Sequence, residues 1–225
     1  MRPEVLVFDV NETLIDIDSL QTHFDRIFGD PAVLREWFGQ LVMYSMAVTL
    51  SGGYTDFFSL GQAVLRMTAD IRGVAIDDDD LRGLADGMRT MPAHPDVAEG
   101  LQRLRDNGFR LATLTNSPHQ DGPTPLEHAG LAGFFEHQFS VDEHRVYKPS
   151  TVLYTSAADT LGVAPSSCMM VAAHMWDTLG AQAAGFSGAL ITRPGNASLP
   201  APGVAQPTVV ATDLLQLNAI LEGQS

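Results

Sequence analysis

The feature that most constrains this chain lies in its first ten residues. Residues 4–10 (EVLVFDV) are mostly apolar, with a carboxylate at the start, Glu4, and another, Asp9, near the end. An unbroken apolar run, rather than an alternating one, predicts a strand buried on both faces, as in parallel sheets. Similar runs recur at 110–115 (RLATLT), 168–172 (CMMVA) and 188–192 (GALIT), with a shorter fifth at 209–211. Helical segments precede them. Residues 97–107 carry Val97, Leu101 and Leu104 at helical spacing with Gly108 as the stop signal, and 151–162 and 177–184 read the same way. Strands alternating with helices predict βαβ units and a parallel sheet.

The stretch from about 19 to 89 breaks that alternation. It has helical periodicity and no clear strand, with helices predicted at 32–37, 40–50, 54–69 and 80–88. Asp30-Pro31, Gly52-Gly53, the segment 73–79 and Met91-Pro92 separate them. The acidic run 77–80 reads as a solvated loop ending in a helix N-cap. A helical insert therefore interrupts an α/β core directly after its first strand. Residues 195–207, rich in Pro, Ala and Ser, read as a surface loop, and the chain shows no internal repeat.

Composition narrows the function. The chain has 225 residues, 45% of them hydrophobic and 18% charged, enough to bury a substantial core. The net charge of -14 argues against a nucleic-acid binder, which needs a basic face. The single cysteine, Cys168, leaves no internal disulfide and no cysteine-based zinc site, and fits a cytoplasmic location. The start lacks the apolar region of a signal peptide. No run approaches the ~18 apolar residues of a membrane span; the longest, 41–50, is broken by Tyr44, Ser45 and Thr49.

In open α/β sheets ligands bind beyond the carboxyl ends of the strands. The polar residues expected there are Asp9, Asn11 and Thr13 after the first strand and Thr115, Asn116 and Ser117 after the second. Lys148 stands before a helix, and His174 and Asp177 follow the strand at 168–172. Two carboxylates, a lysine, an imidazole and several hydroxyls and amides form a catalytic inventory.

On these residues the chain resembles the haloacid dehalogenase superfamily, and within it the type II L-2-haloacid dehalogenases. The motifs are FDVNETL (8–14), LTNSP (114–118), VYKPS (146–150) and VAAHMWDTLGAQAAGF (171–186), together with WFGQLVMYS and GGYTDFF in the insert. The resemblance implies a Rossmann-like α/β core at 1–14 and 92–225 with a helical cap at 15–91. It further implies a metal-independent hydrolase with no cofactor, acting with water at C2 of a small 2-substituted carboxylic acid, most directly a 2-haloacid. Asp9 would attack carbon to give an ester that water hydrolyses. Lys148 would balance charge on Asp9 and the bound carboxylate, and Thr13 and Thr115 would hold Asp9 or the substrate. Asn116 would line the leaving-group side, Asp177 would orient Lys148 or activate water, and Tyr154 would help bind the carboxylate. The resemblance also implies a homodimer through the cap; 41–50, with Met43 and Met46, is apolar enough to contribute, although core packing explains it as well.

Differences within the superfamily bear on the reaction. Its phosphatases use D-x-D-x-T, whereas Asn11 occupies the second carboxylate position and cannot act as an acid. Ala173 stands where a phosphatase carries a carboxylate for Mg²⁺, leaving a hard cation with few oxygen ligands. Three departures from the dehalogenases remain. Phe38 takes the place of the arginine that grips the halide, with Arg35 three residues back. Ala172 and His174 replace a serine and an asparagine, and Asn11 replaces an aromatic. His174 could be a base for ester hydrolysis or an acid for a leaving group that needs a proton. The second role fits a resemblance to azetidine-2-carboxylate hydrolase, which opens a ring by C–N cleavage.

Each residue also has a plainer reading. Asp9 and Asp177 are also placed to cap helices or strand ends, Lys148 to lie on the surface, and His174 and Tyr154 to serve packing. Phe38, Phe57, Phe58 and Trp176 are pocket-lining candidates or ordinary core. The other six histidines lack metal-ligand spacing and read as structural. Beside hydrolysis at carbon stand a phosphatase and a non-catalytic scaffold.

Overall fold

The computed structural model describes residues 2–119 and 122–223. The described residues form one parallel sheet from β1 (Val5–Phe8), β2 (Arg110–Thr115), β3 (His137–Ser140), β4 (Cys168–Ala172), β5 (Ser187–Ile191) and β6 (Val209–Ala211). Their order is β3-β2-β1-β4-β5-β6. Between β1 and β2 run α1 (Gln21–Phe28), α2 (Val33–Leu50), α3 (Phe57–Arg72), α4 (Asp78–Thr90) and α5 (Val97–Asp106). The later helices are α6 (Pro125–His128), α7 (Thr151–Leu161), α8 (Met175–Ala183) and α9 (Leu214–Glu222).

β1 is central because it carries no polar side chain: Val5, Leu6, Val7 and Phe8 are all 0% exposed. It pairs with β2 on one side (Val5↔Arg110) and with β4 on the other (Val5↔Cys168). The direction of winding reverses between β1 and β4, the point at which such sheets open a crevice beyond their carboxyl ends. Asp9 and His174 leave the sheet at that crevice, one after β1 and the other shortly after β4. Above it, α2 and α3 supply Phe38, Val42 and Phe57.

Several elements differ from expectation, each for a local reason. β3 escapes the periodicity because it is an edge strand with His137 and Gln138 exposed; pairing with β2 forms it. α1 buries only Phe24. α9 was also unforeseen. It packs on α5 at Gly100, where a Cβ would lie 2.4 Å from that of Leu214. The two helices predicted at 32–37 and 40–50 are one, α2. A single helical glycine, Gly39, costs about 1 kcal/mol, which burial of Trp37, Phe38 and Leu41 outweighs.

The acidic run 77–80 is mostly helix rather than loop. Asp77 caps α4 by accepting from the amides of Asp79 and Asp80 (2.9 and 3.0 Å), and Asp80 accepts from Asp77 N (3.0 Å). Acidic side chains in a first turn also suit the helix dipole. Within 41–50, Leu41, Val42 and Ser45 point inward, while Met43 and Leu50 are 49% and 89% exposed. Residues 195–207 contain no helix or strand. Among the described residues no helix is long and apolar enough to cross a membrane.

Candidate active site

The loop after β1 is closed tightly. Leu14 N and Ile15 N both donate to Val10 O (2.9 and 3.0 Å), while Asp9 N still follows the sheet and donates to Val171 O (3.0 Å). Arg193, 6% exposed, fastens this loop. Its Nε and Nη2 donate to Thr13 O (3.1 and 3.0 Å), and it pairs with Asp96 at 2.6 Å. Thr13 is thereby positioned to donate from Oγ1 to Asp9 Oδ2 (2.7 Å) and to accept from Ala173 N (2.8 Å). Nothing in the sequence marks Arg193 among the 13 cations or places it beside the loop.

Asp9 Oδ1 faces Lys148, whose Nζ stands 2.8 Å away. The same Nζ donates to Asp177 Oδ2 (2.7 Å) and Leu114 O (2.8 Å), so all three ammonium hydrogens are used. Asp177 Oδ1 accepts from Tyr154 OH at 2.6 Å. Lys148 is anchored through its amide to Asn116 Oδ1 (3.2 Å). The segment bearing it rests on α8 at Gly180, where a Cβ would meet Pro149 Cβ at 2.4 Å. Burial pushes the Lys148 ammonium toward neutrality, but Asp177 and Asp9 outweigh it and hold its pKa above the ordinary value. Burial works in the same sense on Asp9, yet Lys148 and His174 keep it well below the carboxylate range. Asp177 is pushed up by burial and by the charge of Asp9, against the pull of Lys148.

Asp9 Oδ2 faces His174. Nδ1 of His174 lies 3.2 Å from it, and Nε2 lies 2.6 Å from Glu12 Oε2. Burial disfavours the imidazolium, but hydrogen bonds to Asp9 and Glu12 overcome this and raise the pKa to about 9. With both partners ionised, the ring carries two N–H groups and donates to both. Glu12 was not singled out from the sequence. It is 3% exposed, with φ at 65°, in the left-handed region that a glutamate rarely adopts. It also pairs with Arg35, which binds Asp18 at 2.7 Å and Pro194 O at 3.3 Å. Burial raises the Glu12 pKa, while His174 and Arg35 bring it below the ordinary value.

A small cavity of about 10 Å³, room for roughly one water, is lined by Asp9, Asn11, Phe38, Val42, Phe57, Asn116, His174 and Trp176. His174 stacks on Trp176 (4.8 Å between centroids) and lies 5.7 Å from Phe38.

Other expected residues fall elsewhere. Tyr154 is fully buried behind Asp177, to which its hydroxyl donates, and is not among the residues lining the cavity. Thr115 does not hold Asp9. Its Oγ1 accepts from Ser117 N (3.1 Å), and it lines a separate hollow with Val10, Thr113 and Ser117. Arg35 is occupied by Glu12 and Asp18 outside the cavity lining. Phe58 is buried away from the cavity, beneath the Arg89 guanidinium.

Comparisons with known proteins identify the family. A family model described as haloacid dehalogenase-like hydrolase matches residues 3–185. An (S)-2-haloacid dehalogenase of Pseudomonas sp. (strain YL) is 31% identical, over 85% of this chain and 83% of its own. Another, from Pseudomonas sp. (strain CBS-3), is 32% identical over 83% of each. The structure of the L-2-haloacid dehalogenase of Xanthobacter autotrophicus covers 99% of this chain and 100% of its own, at 26% identity and a TM-score of 0.86. The matched span takes in every motif from Asp9 to Asp177, and the chain belongs to the haloacid dehalogenase-like hydrolases.

Proposed function

We propose that the enzyme hydrolyses a small 2-substituted carboxylic acid, an (S)-2-haloacid in the first instance, through an ester on Asp9 and without a metal ion. The observation that carries this reading is the setting of Asp9. It is a desolvated carboxylate at the floor of a small cavity, with both oxygens fixed by Lys148, Thr13 and His174. Fixing a weak nucleophile and stripping its water are the two routes to strengthening it. The curated relatives named above, both (S)-2-haloacid dehalogenases, point to the same substrate class.

In the first step an Asp9 oxygen bonds to C2 while the C2–halogen bond breaks, the halide leaving with the electron pair and C2 inverting. In the second, a water oxygen adds to Cγ of Asp9 and the bond from Cγ to the ester oxygen breaks. The 2-hydroxy acid leaves, Asp9 regains its charge, and one proton passes to solvent. Lys148 takes the place a bridging cation would fill, because its Nζ already joins Asp9 to Asp177. In this reading 15–91 is the cap over a core of 1–14 and 92–225. The enzyme is cytoplasmic and pairs through the exposed Met43, Tyr44 and Leu50 on α2.

Chloride release from (S)-2-chloropropionate in EDTA tests the chemistry, with Asp9→Asn beside the wild type. Undiminished turnover in Asp9→Asn sinks the ester route. A rate that collapses in EDTA and returns with Mg²⁺ sinks the metal-free one.

Two observations favour a second reading, C–N cleavage of azetidine-2-carboxylate. His174 is a proton donor at the cavity wall, and Asn11 Oδ1 is buried there with no hydrogen-bond partner, an acceptor for a ring N–H. Loss of L-azetidine-2-carboxylate without chloride release from the haloacid decides for it.

A further inference from the structure

We propose that Glu12 is a positioning residue that holds His174 as an imidazolium beside Asp9, and that this imidazolium becomes the counter-ion of the departing halide when Asp9 turns into an ester. The inference rests on the Asp9 ester reading above and extends it to the leaving group.

The argument begins with charge. Attack by Asp9 transfers one negative charge from its carboxylate to the halogen, so a cation that faced Asp9 loses its partner as the halide gains one. Lys148 also faces Asp9, but it is not among the residues lining the cavity, and its other two N–H groups stay with Asp177 and Leu114 O. Phe38 is uncharged, and Arg35 is tied to Glu12 and Asp18 away from the cavity. Of the residues lining the cavity, His174 is the cation. Its Nδ1–H points at Asp9 Oδ2 and is released by ester formation, while Nε2–H keeps its partner in Glu12.

Glu12 is built for this contact. Its carboxylate is buried, its backbone is in the left-handed region, and its carbonyl accepts from His94 Nε2 at 2.9 Å. Oε1 is held by Arg35 and Asn196 Nδ2 (3.3 Å), leaving Oε2 for the imidazole. The charged groups around His174 are Asp9 and Glu12 in contact, Arg35 behind Glu12, and Lys148. The ammonium of Lys148 lies 5.7 Å from the centre of the Trp176 ring that stacks on His174, with Asp177 beyond it. Among the described residues two carboxylates touch the ring and no cation does, so the charged form persists across the neutral range.

Histidine ring-nitrogen NMR of the whole protein tests the first half. In the wild type at neutral pH both ring nitrogens of His174 carry hydrogen. In Glu12→Gln, which keeps the shape and loses the charge, deprotonation moves down by about one to two pH units, the equivalent of one charge-assisted hydrogen bond. With (S)-2-chloropropionate the alkaline limb of kcat moves down with it, and at pH 8 kcat falls about two- to tenfold with KM little changed. Bromide tests the second half. Asp9→Asn matches the uncharged ester, so bromide shifts the His174 ring signals in that variant and leaves them unmoved in the wild type. A neutral His174 in the wild type, an unmoved pH limb in Glu12→Gln, or bromide binding to Asp9→Asn without a response at His174 overturns the proposal. A wild type that releases no halide overturns the reading beneath it, and the ring NMR then still judges Glu12 by itself.

Discussion

The two oxygens of Asp9 are held by different parts of the molecule. Oδ1 belongs to a cluster wholly within the α/β core: Lys148, Asp177, Tyr154 and the carbonyl of Leu114, with both ion-pair side chains of Lys148 and Asp177 at 0% exposure. Oδ2 belongs to a chain that runs outward through His174 and Glu12 to Arg35 on α2, where the arginine side chain is 36% exposed. In the first cluster all three ammonium hydrogens of Lys148 are taken and its partners are buried, so it fixes the nucleophile. The second ends in solvent and in the helical insert, so it ties the charge beside the nucleophile to the insert's position. Thr13 also donates to Oδ2 from within the core, so the outward chain adds to that oxygen a second hold that Oδ1 lacks.

The contrast can be broken most severely at Lys148. Lys148→Met leaves Asp9 and Asp177 buried without their shared cation, and stability is expected to fall by about 3–5 kcal/mol, with turnover lost. Thermal melting and chloride release together check this; a variant as stable as the wild type removes the rigid half of the comparison.

Next comes pH. His174 titrates near 9 in the fold against an ordinary value of 6.5. Its contribution is complete below the unfolded value and disappears as pH rises through about 9, a loss on the order of 3 kcal/mol. Asp9 and Glu12 are depressed, so their contributions are present above the ordinary carboxylate range and vanish as pH falls through the folded values. Melting temperature followed from pH 6 to 10 should drop at the alkaline end in the wild type and stay flatter in His174→Asn.

Gly180→Ala is a milder probe of the Oδ1 side. Its Cβ would stand 2.4 Å from Pro149 Cβ and 2.6 Å from Pro149 O, so the segment bearing Lys148 must shift. Overpacking of this kind costs about 1–3 kcal/mol, and kcat should fall more than KM rises, because Lys148 is displaced from Asp9. The smallest effect on stability is expected at the outer end of the Oδ2 chain. Arg35→Met removes a partly exposed arginine, while the buried Glu12 keeps its bond to His174, and should change stability by about 1 kcal/mol. It should still move the alkaline limb of activity downward slightly, through Glu12; equal effects on stability and on that limb would erase the distinction between the two sides.

Much of this was readable from residues alone where a feature is local. β2, β4 and β6 fall where their apolar runs predict, and Asp9, Asn11, His174 and Asn116 gather at the crevice because strand order takes them there. What escaped was non-local or mixed in signal. β3 has one large apolar side chain and exists through pairing with β2. Thr115 follows the right strand yet turns back on Ser117 N, and Tyr154 reaches Asp177 from behind. Glu12 looked like any charged loop residue, since nothing in FDVNETL states that its backbone is left-handed or that Arg35 lies opposite.

The sequence by itself determined the α/β class, the helical insertion after the first strand, and an aspartate, a lysine and a histidine at strand ends. Hydrophobic periodicity and turn chemistry are local properties that neighbouring residues impose on one another. The tertiary structure alone decided which of these groups touch. Contacts between residues more than 130 positions apart, such as Asp9 with Lys148 and Glu12 with His174, depend on how strands order and helices pack. A buried charge exists in its charged form only because those distant partners offset its desolvation.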